Sequence, residues 1–410
     1  MRLPDEFNFL DPKTVDDPYP FYAALRDNSP VYQVPGTDIY LVSKRHLIEE
    51  ALERQDDFSA NLTGVLITGS TGEPQVFNLS DLGSTVDAIA NADEPSHAVH
   101  RKLILPYVTP KVIAALEETV REWAVEFIDP LIDMGSGDFV ERVANPLPIR
   151  AMALVVGLPL EDADRLLDWA MAGTEVLAGT TTLERLALVA GKAGAMSAYL
   201  GEHLQRAMVG SKGELPPDVI GALARGVKDG LISESDGVAI LLVLVGAGGE
   251  STTSLTGSAV RILAEQPELQ QELRGNPTLI SEFVEEALRL ESSFRAHYRH
   301  VKHGTKLGDV ELPEGARILL LWAAANRDPE TFDNPDSVNI RRPRLREHLA
   351  FGRGMHFCLG ARLARLESRV ILEELLARTR SFSLDPRHPP RHVNSIFVRR
   401  HAELGLIAVG

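Results

Sequence analysis

Apolar residues recur at helical spacing through most of the chain between Pro110 and Arg380. Pro110 suits a first helical position, and Val112, Leu116, Val120, Trp123 and Phe127 follow it on one face. The same periodicity predicts helices near Leu160–Ala172, Leu183–Met208, Glu234–Glu265, Pro267–Arg274 and Ile280–Leu290, and another over Ala361–Leu376. Elsewhere the pattern changes. Val31–Val34 and Ile39–Val42 are short β-like runs in a segment mixed with Pro and Gly. Between Val301 and Leu321, Gly304, Gly308, Pro313 and Gly315 interrupt short apolar runs, which reads as a small β-meander. Leu384 to Val409 reads as loops and short strands. Asp57 to Asp93 is rich in Gly, Ser, Thr and Asn and is expected to be a long loop, either a binding segment or mobile surface. The fold class is therefore mainly α, with a smaller β region.

The stretch Glu234–Glu265 combines opposed signals. Ser233 and Asp236 form a Ser-x-x-Asp start signal, and Val238–Val245 is apolar on every side, as in a helix central to a core. Its middle, Gly246-Ala247-Gly248-Gly249, carries three glycines, each costing about 1 kcal/mol relative to Ala in a helix. Either something flat presses on this face and the helix opens, or a loop joins two shorter helices.

Composition narrows the class. The chain has 410 residues, 44% hydrophobic and 24% charged, which excludes disorder, collagen and coiled coil. Lys and Arg number 42 against 58 Asp and Glu, a formal net charge of −16, unsuited to coating nucleic acid. No basic n-region precedes an apolar core at the N-terminus, and the longest unbroken apolar runs, Val238–Val245 and Ile318–Ala325, fall short of the roughly 18 residues of a bilayer span. A cytoplasmic protein without a membrane anchor is expected, with its thiol reduced.

One cysteine excludes an intrachain disulfide and any multi-cysteine metal site. It sits in Phe351-Gly352-Arg353-Gly354-Met355-His356-Phe357-Cys358-Leu359-Gly360, just before a helical stretch. A lone intracellular cysteine is most often a small buried hydrophobe. Here the helix N-terminus favours a thiolate, basic residues crowd it, and Gly352 and Gly354 let backbone N–H groups turn toward sulfur. Such a thiolate is a nucleophile or a metal ligand.

Phe351, Gly352, Gly354, His356, Cys358 and Gly360 together resemble the haem-ligand loop of the cytochromes P-450. Other segments resemble that family in order. Glu286-Ala287-Leu288-Arg289 is similar to its Glu-x-x-Arg helix, and Arg342 to the arginine that closes that cluster. Ala247-Gly248-Gly249-Glu250-Ser251-Thr252 is similar to the oxygen-activation segment, and His97-Ala98-Val99-His100-Arg101 to the segment that holds haem propionates. Asn326-Arg327-Asp328-Pro329 also matches, and the whole chain most resembles the soluble bacterial class. Two departures stand out: Ser251 replaces the usual Thr, and Glu291-Ser292-Ser293-Phe294 stands where a Pro pair is common.

The resemblance implies one haem-thiolate catalytic domain over residues 1–410, holding haem b, with O2 as co-substrate. Cys358 would be the axial iron ligand, favouring O–O cleavage, and Phe351 would shield the sulfur. His97, Arg101, Arg299 and His356 would pair the propionates, with Ala247, Gly248, Phe351, Gly352 and Gly360 also at the cofactor. Glu286, Arg289 and Arg342 would form a buried structural cluster. The glycines would leave room over the haem for dioxygen and a water. Glu250 and Ser251 would relay protons, unless Thr252 is the relay. Leu244, Ala247, Phe294 and Ile396 would line a pocket for a small, mainly hydrophobic substrate. The implied reaction is monooxygenation, with NAD(P)H electrons arriving through a separate reductase and ferredoxin. A peroxide-driven peroxygenase and a haem-based ligand sensor are the alternatives. Between Arg341 and Arg369 eight arginines face two acids, which marks the face around Cys358 for an acidic electron donor.

Overall fold

Glu234–Glu265 forms one continuous helix of 32 residues, and the other elements are arranged around it. Its start uses the expected signal: Ser233 Oγ accepts from the Asp236 N–H at 3.1 Å, while the Ser233 N–H donates to Asp236 Oδ2 at 2.8 Å. In length and apolar character the helix could cross a bilayer, but half of its most apolar window is buried inside the protein. It packs against Pro146–Val156, Ala163–Glu175, Leu183–Val209, Ile280–Leu290 and Ala361–Arg378. The computed structural model describes residues 3–82, 87–209 and 217–410.

The mid-helix glycines have a packing explanation. A Cβ on Gly248 would lie 1.9 Å from Met152 Cε, and one on Gly249 would lie 3.0 Å from Ile149 Cδ1. Both face Pro146–Val156, and their missing side chains let the two helices approach. The helix does not open, so the expectation of a gap made by Gly248 and Gly249 is corrected. Gly246 alone of the three has nothing near its absent side chain.

Strands from distant parts of the chain make a five-stranded sheet, in the order Val31–Gln33, Ile39–Val42, Arg317–Leu320, His297–Val301, Phe58–Ser59. Arg317–Leu320 runs parallel to Ile39–Val42 and antiparallel to His297–Val301, with Leu320 opposite His297. The meander expected over 301–321 is thus divided. Its middle is a separate hairpin, Thr305–Leu307 with Val310–Leu312, and its ends join the N-terminal strands. The segment expected to be one long loop contains a hairpin, Gly64–Thr68 with Pro74–Asn78, in which Val65, Leu66 and Ile67 are buried. Residues 83–86 of that segment lie outside the described residues. Helices also form at Tyr19–Asn28, Arg45–Glu53, Ser96–Ile104 and Val219–Lys228, where no helix was expected.

Near the C-terminus the rings of His392 and His401 lie 4.4 Å apart. His401 is buried with neither ring nitrogen bonded, and His392 reaches Asp16 Oδ1 at 2.9 Å through Nδ1 only. Burial, then the neighbouring His392, Arg261 and Arg399, holds the His401 pKa well below its usual value against Glu291. Burial and Arg399 push His392 down to about 4, against Asp16 and Glu291. Unfolded histidines take up protons below about 6.5, whereas the folded pair resists. Stability should therefore be complete above that pH and fall as pH drops from about 6.5 to about 4. Thermal unfolding followed across this window should show the slope, and His401→Leu should reduce it. An unchanged slope in the variant would exclude the pair as its source.

Candidate active site

The Cys358 thiol lies at the start of helix Ala361–Arg378 and keeps accessible surface. It is nevertheless deep enough that burial raises its pKa above the usual thiol value. A deep group with accessible surface borders an internal opening. The Gly360 and Ala361 N–H groups, Arg365 and Arg101 pull the pKa the other way. Helix-start donors thus favour the thiolate as expected, but in the free thiol burial outweighs them. The donors are those of Gly360 and Ala361; Gly352 (φ 67°) and Gly354 (φ 74°) instead shape the turn. The turn is closed by the Cys358 N–H donating to Phe351 O at 2.9 Å.

Side chains that sequence reading missed brace this loop. The Arg365 guanidinium sits 4.5 Å over the Phe351 ring and forks onto Glu285 at 2.6 and 2.9 Å. Buried His348 meets the same carboxylate at 3.1 Å. Arg365 and His348 outweigh desolvation and hold the Glu285 pKa down to about 2. Glu285 adjoins the Glu-x-x-Arg pair, but its partners lie more than sixty residues away and no local pattern announces them.

Two ring nitrogens beside the loop lack partners, although His97 Nδ1 meets Glu94 Oε1 at 3.1 Å. The His97 and His356 rings lie 4.3 Å apart, and His97 Nε2 and His356 Nδ1 are buried without a partner. Burial first, then Arg299, pushes His356 down to about 3. Arg299 is 8% exposed and donates only to its neighbour's carbonyl, Tyr298 O, at 2.7 Å. Burial pushes its pKa down to about 10. Arg101 Nη1 donates to Phe357 O at 3.0 Å, which ties Ser96–Ile104 to the cysteine loop.

On the central helix, Ala247 is exposed, and Leu244 and Ser251 are half-buried, although most of the helix beyond Ser251 is buried. Spacings of three and four place these residues on one open face. Ser251 Oγ donates to Ala247 O at 2.7 Å. Thr252 is 4% exposed and its hydroxyl meets the buried Glu367 carboxyl on Ala361–Arg378. Of the two candidate hydroxyls, Ser251 faces open space and Thr252 faces the core. Glu250 turns another way. It is 1% exposed, accepts from Arg400 Nε at 2.7 Å and from the Thr174 hydroxyl, and borders a cavity of about 510 Å³. Thr181, Arg185, Lys192 and Asn394 are among the polar residues lining it.

Phe294 stacks on Phe397, with ring centres 4.7 Å apart. Ile396 is buried against Gly179, so it belongs to the core packing there and not to an open pocket wall. A side chain at Gly248 would meet Met152, while the glycine itself keeps accessible surface.

The cytochrome P450 family model matches residues 214–404. Cytochrome P450 144 of Mycobacterium tuberculosis is 39% identical, over 92% of this chain and 86% of its own length. The putative cytochrome P450 123 of Mycobacterium bovis is 33% identical over 98% of both chains. The chain belongs to the cytochrome P450 family. Among solved structures it is similar to P450BioI in complex with an acyl carrier protein ligated to hexadec-9Z-enoic acid (TM-score 0.85, 27% identity, 97% of this chain and 99% of that one). It is also similar to CYP109E1 from Bacillus megaterium in complex with testosterone (TM-score 0.84, 27% identity, with the same coverage). Cytochromes P450 are haem-thiolate monooxygenases, and this P450 is an oxidoreductase of that class.

The residues fit a haem. The accessible deep thiol suits iron, and Arg299, which meets only a backbone carbonyl, together with the unpartnered His97 Nε2 and His356 Nδ1, suits two carboxylates. The cluster expected to brace the site is assembled. Arg289 forks onto Glu286 with both bonds at 2.8 Å, neither residue having exposed surface. Arg342 Nε adds a bond to Glu286 at 3.4 Å. The departure at Glu291–Phe294 has its own network. Glu291 accepts from Tyr19, Arg261, Arg327 and Arg399, and Ser292 Oγ accepts from Asn326 Nδ2 at 2.9 Å.

Removing one partner from a buried pair strands the other charge. Glu286→Gln should therefore cost about 3–5 kcal/mol of unfolding free energy in denaturant titration. A loss under about 1 kcal/mol would place the pair among ordinary surface bridges.

Proposed function

We propose that this P450 inserts one oxygen atom of O2 into a mainly hydrophobic organic substrate, taking electrons from a ferredoxin that is reduced through an NAD(P)H-dependent reductase. The observation that carries the reading is the accessible deep Cys358 thiol flanked by Arg299, which meets only a backbone carbonyl, and by the unpartnered His97 Nε2 and His356 Nδ1. Cys358 would hold the iron of haem b, and His97, Arg101, Arg299 and His356 would hold its propionates. The bound haem supplies the chemistry of oxygen activation at a thiolate-held iron. Leu244, Ala247 and Phe294 supply apolar wall, and Phe397 adds an aromatic face stacked on Phe294.

Proton delivery follows from the two directions of adjacent side chains. Cleaving the O–O bond of the co-substrate consumes two protons, and the apolar wall supplies none. Glu250, at the polar cavity, takes protons from the solvent side, while Ser251 on the open face carries a hydroxyl that accepts and donates. Releasing the Ser251 bond to Ala247 O frees its proton for transfer. Ser251→Ala should bind substrate and accept electrons yet divert most NAD(P)H to peroxide, and Thr252→Ala should stay coupled. Peroxide yield per NAD(P)H consumed measures both. Full coupling in Ser251→Ala would overturn the relay.

The donor surface is narrower than the local arginine count implied. Arg341, Arg344, Arg353, Arg365 and Arg369 pair with Glu272, Glu347, Glu49, Glu285 and Glu117, and Arg342 is buried on Glu286. Arg346 and Arg362 are exposed and have no acidic partner among the described residues. These two would carry the steering charge for an acidic ferredoxin. Reduction by ferredoxin should slow as salt rises, and Arg362→Glu should slow it at low salt. Rates indifferent to both would remove the patch.

A further inference from the structure

His297 was not singled out in the sequence, and its surroundings give it a defined role. It begins strand His297–Val301, on which Arg299 lies two positions on. Side chains of a strand alternate, so His297 and Arg299 point to the same side of the sheet. Trp322 Nε1 donates to His297 Nδ1 at 2.7 Å. Indole nitrogen can only donate, so Nδ1 must be the unprotonated nitrogen and the ring proton of neutral His297 sits on Nε2. The Trp322 side chain is 3% exposed, which makes this lock rigid. Phe294 and Phe397 stand edge-on to the imidazole, with ring centres 5.7 and 5.4 Å away. They leave the ring little freedom to turn.

The Nε2–H has no acceptor among the described residues. His297 lies deep, since burial and then Arg299 push its pKa down to about 3, yet it keeps part of its surface accessible. It therefore borders an internal opening, as Cys358 does. Arg299, on the same side of the strand, lines a pocket together with His356, whose Nδ1 is buried without a partner. Basic side chains thus gather around Arg299, and His297 Nε2 and His356 Nδ1 among them have no acceptor among the described residues.

We propose that His297 is a further cofactor-binding residue, a neutral Nε2–H donor to a haem propionate held in that tautomer by Trp322. This rests on the haem-thiolate reading above. It adds a donor that carries no charge, so the carboxylate gains a bond without another cation being buried beside Arg299.

The test uses the haem-loaded protein and reads cofactor retention. Haem transfer to an excess of an apo-globin acceptor gives the loss rate, and redox titration gives the midpoint potential. His297→Leu should release haem on the order of threefold to tenfold faster, the worth of one net hydrogen bond. His297→Gln, which restores an N–H donor, should recover most of that. Trp322→Phe should fall between, because the tautomer is no longer fixed. Unchanged haem loss and potential in His297→Leu overturn the proposal. So does a variant that changes only substrate affinity, which would turn His297 toward the substrate. Failure of the wild-type protein to hold haem through a thiolate, read from the absorption of its reduced carbon monoxide complex, would instead sink the underlying reading.

Discussion

The bidentate pair between Arg289 and Glu286 has no exposed surface, so neither charge can be satisfied by water. That requirement organises the half of the molecule that carries the thiol. Arg289 also donates to the carbonyls of Asn326, Pro335 and Ser337, and Glu286 Oε1 accepts from the Asn339 N–H. The segment from Asn326 to Arg342, poor in regular structure, is thereby pinned to a helix. Asn326 extends the chain of bonds: its Oδ1 accepts from the Leu349 N–H at 2.6 Å, two residues before the cysteine loop begins. The position of Cys358 thus depends on an ion pair whose residues never touch it.

The central helix separates two environments with consecutive residues. One step along a helix rotates the side chain by roughly 100°. Glu250 therefore enters the polar cavity beside Arg400, Ser251 meets open space, and Thr252 enters the core against Glu367. A strand would have placed Glu250 and Thr252 on one face. The helix stays unbroken because Gly248 and Gly249 relieve crowding against Met152 and Ile149, offsetting their poor helix propensity by close packing.

Charge along this chain is a poor guide to charge on its surface. The arginines near Cys358 look like a strongly basic patch in a sequence window, yet folding brings acids from Glu49, Glu117, Glu272 and Glu285 to meet them. Elsewhere Glu291 gathers Arg261, Arg327 and Arg399, which hold it ionised despite desolvation. Both arrangements tie together elements far apart in the chain.

Features that depend on short spacing were legible along the chain. The cysteine loop, the Glu286/Arg289 pair three residues apart and the Ser233/Asp236 start were legible because a few neighbouring residues set their geometry. The helical periods and the mainly α class were legible for the same reason. Tertiary structure decided the rest. Glu250 meets Arg400 across 150 residues, and Trp322 fixes His297 across 25. The hairpin at Gly64–Thr68 was hidden in a stretch whose overall composition reads as loop, although Val65, Ile67 and Thr68 are good strand formers, and burial of Val65, Leu66 and Ile67 anchors it. Ile396 reads as a pocket residue and is buried in core packing against Gly179, because the direction of a side chain depends on which neighbours close around it. No pattern along a chain contains those neighbours until the helices have packed.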